Sequence, residues 1–219
     1  CYNSSSEPLN ANIKRSMDFY NDQRYQLSKG FIKDVEYDLT QISWTTSVLN
    51  LALKNQEITQ DKIGEKVISL YRPFFKQIGY YSRFWNERVY QLPKLFPTSK
   101  YKNLVICVKG IGDKDFSCLI ADCIPDLQVI FNGQCFPLYW YEENKNKQQT
   151  LSLFDTESSD DYIRRDGITD WILKEVRTRF GNARKITKET IFYYVYGLLH
   201  SPKYREAFAA DLKKPLPRI

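Results

Sequence analysis

Histidine and methionine are nearly absent from this chain of 219 residues, which holds one of each, His200 and Met17. Five cysteines without a C-x-x-C pair, beside a single histidine, supply a zinc site poorly. No run of about 18 apolar residues occurs, so no membrane span is expected. The polar start, Cys1 to Asn10, lacks the apolar stretch of a signal peptide. A soluble, cytoplasmic protein is expected, and the sole methionine well inside the chain suggests a piece of something longer. Glycine and proline, nine each, are too few for a disordered or fibrous chain, and the length suffices for one core with an attached subdomain. Cys107, Cys118 and Cys123 sit in apolar surroundings and read as reduced, buried thiols.

Aromatics, by contrast, are abundant, with 16 Tyr, 13 Phe and 4 Trp, and positive charge is unevenly spread. The net charge is +6, yet Lys62 to Lys114 carries 11 Lys and Arg against Glu65, Glu87 and Asp113, leaving a slight negative excess elsewhere. Tyr71, Phe74, Tyr80, Tyr81, Phe84 and Trp85 interleave there with Arg72, Lys76, Arg83 and Arg88. Such a stretch suggests a polyanionic partner or, as the alternative, the docking surface of a non-catalytic protein-interaction domain, although aromatics in a core and cations on a solvated face give the same composition.

Apolar spacing predicts helices over Ile13 to Leu27 and Thr46 to Lys54. Short β-prone runs follow: Val67 to Tyr71, Gly79 to Trp85, Leu104 to Lys109, Leu127 to Phe131 and Phe136 to Tyr141. Lys109 to Asp113 and Asn132-Gly133 read as turns, the second as a hairpin. Residues 142–161 are polar and low in complexity, an exposed, flexible insertion. Ile168 to Phe180 reads as a helix ended by Gly181. Thr187 and Ser201 are suited to cap a closing helical pair, with Pro202 preorganised for the second helix. The expected class is α+β, a small mixed or antiparallel sheet flanked by an N-terminal helical segment, residues 1–60, and the C-terminal pair.

Catalytic motifs are scarce. There is no Pro-Pro for an adenine methyltransferase base pocket, no Walker lysine, and Gly110-Ile111-Gly112 lacks the third glycine of a dinucleotide loop. His200 lies beside Ser201, but nothing else suggests a hydrolase. Pro125-Asp126 with Glu143 and Lys145 matches the spacing of metal-dependent nucleases, in which two carboxylates hold Mg²⁺ and a lysine orients water. Glu143 and Lys145, however, fall in a tract so rich in Glu, Lys and Asn that the triplet is unsurprising, and a catalytic carboxylate needs rigid support.

Several ordered segments resemble one family: Tyr71-Arg72-Pro73-Phe74, Asn86-Glu87-Arg88 leading to Leu95-Phe96-Pro97, Val105 to Gly112, Ile124-Pro125-Asp126-Leu127, Gln134 to Tyr139, Asp166 to Trp171, and Ile191 to Ile219. The resemblance is to the C-terminal specificity domain of type ISP restriction-modification enzymes, single polypeptides joining nuclease, translocase, adenine methyltransferase and target-recognition parts. It implies that residues 61–219 recognise double-stranded DNA for a methyltransferase domain of the same polypeptide. It also implies that S-adenosylmethionine, ATP and Mg²⁺ bind in other parts, leaving no cofactor and no catalytic residue here. Where the family continues Tyr-Arg-Pro-Phe with Asp, this sequence has Phe75. Lysines suit phosphates, so Lys76, Lys100, Lys102, Lys109 and Lys114 are candidates. The forked groups of Arg83, Asn86, Arg88 and Gln134 suit base edges. Arg72, set between aromatics beside Pro73, reads instead as structural.

Overall fold

A computed structural model describes residues 2–59, 64–82, 86, 89–110, 115–130, 133–144, 161–181 and 185–213. The chain divides into two compact units, Cys1–Ser69 with Lys76–Tyr90, and Leu70–Phe75 with Gln91–Ile219. The division falls elsewhere than at residue 60, because strands after that point join the N-terminal helices.

In the first unit α1 (Ser6–Ser28) buries Leu9, Ile13, Met17 and Tyr20, a stripe at helical spacing. It packs with Val48 and Ala52 of α2 (Thr46–Leu53), and with Ile42, Ile58 and Tyr80, into one apolar cluster. Thr45 caps α2 by accepting from the Val48 amide. The irregular connection is tied to α1 by side chains: Gln23 accepts from the Glu36 amide at 2.7 Å, and Ser16 donates to the Gln41 carbonyl at 2.6 Å. Asn21 both donates to and accepts from the backbone of Ile58. What reads in sequence as a helical spacer therefore has a core of its own. The opening residues are not merely a polar lead, since β1 (Tyr2–Asn3) pairs antiparallel with β3 (Phe75–Tyr81), Tyr2 opposite Gly79.

β2 (Glu65–Arg72) lies beside β3, and Pro73 and Phe74 connect them. Its last residues, Leu70 to Arg72, belong to the second unit, where β6 (Ile124–Pro125) is their neighbour and the Asp126 amide donates to the Leu70 carbonyl. The centre of this unit is β4 (Val105–Val108), flanked antiparallel by β5 (Cys118–Ala121) and β7 (Gln134–Pro137). All four β4 residues are buried, the pattern of a strand covered on both faces. α5 (Lys188–His200) covers it with Phe192 and Leu199. β8 (Tyr139–Glu143) pairs antiparallel with β9 (Tyr162–Asp166), and short α3 (Leu92–Leu95) precedes β4.

The α+β class holds, but among the described residues the strands distribute over three small sheets. Leu127 to Ile130 is no strand: the Asp126 carboxylate accepts from the Gln128 amide and the Asp126 carbonyl from Val129, bending the chain while Val129 and Ile130 stay buried. β7 consequently pairs with β4 rather than with this run, and Asn132 lies outside the described residues. Glu142 and Glu143, expected in the insertion, are strand residues of β8.

Helix ends follow local chemistry. α4 (Asp170–Phe180) is capped by Thr169 and stops at Gly181, whose φ of 67° is left-handed. Thr187 and Thr190 form a capping box at α5, and Ser201 caps α6 (Pro202–Ala207). The second terminal helix breaks at Phe208 and resumes as α7 (Ala209–Lys213), which buries Leu212. Pro215, which could end this helix, lies outside the described residues.

Candidate nucleic-acid interface

The best-supported candidates are Lys100 and Lys102, both exposed on the segment between α3 and β4. A buried asparagine holds this segment. Asn103, 4% exposed, donates to the carbonyls of Leu95 at 2.9 Å and Tyr139 at 2.6 Å, and accepts from the amides of Leu104 at 2.8 Å and Tyr139 at 3.0 Å. All four hydrogen-bonding positions of the amide are thus used. Tyr141 donates its hydroxyl to the Lys102 carbonyl at 2.6 Å, and Tyr101, between the two lysines, meets the rings of Tyr141 and Tyr162 edge-on. Two ammonium groups therefore project from backbone fixed on both sides, the support that precise contacts require.

Gln134 is exposed on β7, an edge strand, opposite Val108. Lys109 is not on the surface: it is 4% exposed, and its amide extends the β4–β5 pairing by donating to the Ser117 carbonyl. That burial removes it from the exposed phosphate candidates. In the first unit Lys76 is exposed on β3. Asn86 is half-buried and accepts from the Ser82 amide at 2.9 Å, which takes one of the two acceptor positions of its side-chain oxygen and leaves one for a forked adenine contact. Arg83, Arg88 and Lys114 lie outside the described residues.

Arg72 is engaged internally. Its guanidinium lies 4.0 Å from the Tyr71 ring centre, donates to the Tyr71 carbonyl at 2.7 Å and reaches Asp126 at 3.5 Å. Asp126 thus supplies a carboxylate partner although Phe75 stands where the resembling family has Asp. The turn beyond presents Phe74 at 96% exposure with a φ of 63°, a conformation that is costly for a side-chain-bearing residue.

Charge counting along the sequence passes over Arg164 and Arg165. Both are exposed on β9; Arg164 covers the Tyr139 ring at 4.4 Å, and Arg165 pairs with Glu142 at 3.0 Å. Asp160, Asp161 and Asp166 offset them in a wider window, and Tyr162 to Asp166 shows no alternation that would mark a strand, so nothing in the sequence signals them. Beside them Lys188 bridges Asp166 and Asp170, and Tyr139 donates to Glu189, holding that carboxyl below its usual range.

The family model of the type ISP C-terminal specificity domain matches residues 1–219. The chain belongs to this family. Solved structures agree with that assignment over the whole chain. The ATP-dependent type ISP restriction-modification enzyme LlaBIII bound to DNA is 30% identical, with a TM-score of 0.77, and the chain covers 13% of it. The DrdV–DNA complex is 29% identical with a TM-score of 0.80 and 20% covered. A nuclease-deletion mutant of the type ISP enzyme LlaGI with a DNA substrate mimic is 30% identical with a TM-score of 0.72 and 18% covered. The chain therefore spans a fifth or less of these relatives' own length. No curated protein matches it.

The geometry of the described residues lends nothing to the two catalytic readings. Asp126 is occupied by Arg72 and by its own turn, Glu143 is exposed on β8, and Lys145 lies outside the described residues. Among the described residues no group of three His, Cys, Asp or Glu is placed to hold a metal. Ser201 faces the Tyr204 amide as a cap, while His200 meets Cys118 at 3.4 Å and Arg205 at 3.5 Å. Burial pushes the Cys118 thiol up, and burial followed by Arg205 pushes the His200 imidazole down, so both favour their neutral forms rather than a reactive thiolate–imidazolium pair.

Proposed function

We propose that this specificity domain reads the target sequence in double-stranded DNA and presents the duplex to an adenine methyltransferase within the same polypeptide. The observation that carries this reading is the match over the whole of this chain, at 29–30% identity, to the type ISP restriction-modification enzymes LlaBIII, bound to DNA, and LlaGI, with a DNA substrate mimic, and to the DrdV–DNA complex. Lys100 and Lys102, on their stapled segment, suit phosphates, which orient a duplex without reading it. Gln134, exposed on its strand edge, suits a base edge, where its amide can match adenine. Trp171 and Phe180, 66% and 67% exposed on α4, suit contact with another part of the polypeptide.

In this reading the domain is non-catalytic and acts in the cytoplasm. S-adenosylmethionine, ATP and Mg²⁺ serve the methyltransferase, translocase and nuclease parts outside residues 1–219. Exchanging these residues between two parent enzymes tests the proposal: the methylated sequence should travel with the domain, and methylation that stays with the remainder of the enzyme rejects it.

A further inference from the structure

Cys107 and Cys135 stand directly opposite one another on neighbouring strands β4 and β7, with their sulfurs 3.4 Å apart. Opposed residues of an antiparallel pair have Cα atoms about 4.5–5.5 Å apart, inside the roughly 4.4–6.8 Å that a disulfide spans. Joining these sulfurs needs side-chain rotation and little movement of the strands. We propose that Cys107 and Cys135 form an oxidation site that a peroxide converts reversibly into a cross-strand disulfide.

The two thiols are not equivalent. Cys107 is 1% exposed, whereas Cys135 is only half-buried on an edge strand, so a small oxidant reaches Cys135 first. The hydrogen bond between them favours the thiolate at Cys135 and draws its pKa down, while the same bond, with burial, pushes Cys107 up and keeps its proton. Cys135 is the attacking sulfur and Cys107 the resolving one.

The chemistry balances with hydrogen peroxide as oxidant. The Cys135 thiolate attacks one peroxide oxygen, the O–O bond breaks, and the departing hydroxide takes up a proton as water, leaving a sulfenic acid. The Cys107 sulfur then attacks the sulfenic sulfur; the S–O bond breaks and a second water leaves with the Cys107 proton. Two electrons pass from the pair of thiols to peroxide, and a small dithiol reverses the step by exchange. The link would tie β7 to β4 one residue from Gln134.

The test exposes the whole chain to hydrogen peroxide, alkylates the remaining thiols and maps peptides by mass spectrometry without reductant. The expected result is a Cys107–Cys135 cross-link lighter by two hydrogens and reversed on adding dithiothreitol. Cys107→Ser should leave a Cys135 sulfenic acid that dimedone traps. In the unaltered chain, before oxidation, Cys135 should alkylate ahead of Cys107, a readout that needs no variant to fold. Cys135 linked instead to Cys118 or Cys123, Cys135 carried to sulfinic acid while Cys107 stays reduced, or Cys107 alkylated first would each overturn the proposal.

Discussion

Replacing Asn103 by alanine removes four hydrogen bonds at one buried point and leaves the groups they joined facing an apolar gap. A neutral hydrogen bond contributes about 1 kcal/mol net, and a buried partner left unsatisfied costs about 1–3 kcal/mol. The partners here are the carbonyls of Leu95 and Tyr139 and the amides of Leu104 and Tyr139. Water entering the vacated space would satisfy some of them. We therefore expect a loss of about 3–4 kcal/mol, at the upper end for a single substitution. Asn103→Asp sharpens the reasoning: it keeps an acceptor for the two amides but turns a carboxylate oxygen toward two carbonyl oxygens, so it should also destabilise despite its matching shape. Urea denaturation gives the loss from the midpoint shift, and hydrogen exchange at the Tyr139 amide should become faster. An alanine variant whose stability stays within about 1 kcal/mol of the parent, with Tyr139 protection unchanged, would refute the argument that this residue fixes the lysine segment.

Three further outcomes follow from single features. Changing Lys100 and Lys102 together to Gln should weaken DNA binding at all sequences alike and flatten the slope of log affinity against log salt by about 0.9 for each phosphate no longer neutralised; anisotropy showing an unchanged slope would remove these lysines from the interface. Gly167→Ala would drive a Cβ into the Pro137 carbonyl oxygen, so thermal unfolding should reveal a loss of about 1–3 kcal/mol, and a neutral effect would mean that the bend after β9 yields freely. His200 is the only histidine, and burial followed by Arg205 lowers its folded pKa, so its contribution is present above the ordinary imidazole pKa and fades as pH falls through that range. The melting temperature should drop from about pH 7 to about pH 5 and drop less in His200→Gln; identical pH profiles for the two proteins would contradict this.

Features set by neighbouring residues are legible in the sequence itself. Thr187, Gly181 and Ser201 sit where capping chemistry puts them, because a cap depends on three or four consecutive residues. Strands whose partners come from afar are not legible in this way. Cys118–Ala121 and Ile124–Pro125 are too short to show alternation, and Tyr162–Asp166 is a strand through its pairing with β8. Leu127 to Ile130 has strand-forming residues and is turned aside by one carboxylate, Asp126. α4 displays the expected apolar spacing, yet none of its residues is buried in this chain. Periodicity reports that a face is apolar, not what covers it. The candidate site is legible in part for the same reason: charge counting finds Lys100 and Lys102, while Asn103, which fixes them, gives no signal in composition.

Lys102 and Lys109 show why a charge excess along the sequence is not a charged surface. Both belong to the same basic stretch, seven residues apart in the sequence. Lys109 follows four buried residues of a central strand and continues its pairing, so its stem packs where that strand packs. Lys102 precedes the strand, at the point where Asn103 ties the backbone to Leu95 and Tyr139 and leaves the side chain in solvent. Long-range attraction to a polyanion draws on both charges, but a phosphate contact needs an ammonium that can meet an oxygen without dismantling its surroundings. The residue that makes one lysine available is therefore an uncharged, buried asparagine, three of whose four hydrogen bonds reach two other segments of the chain.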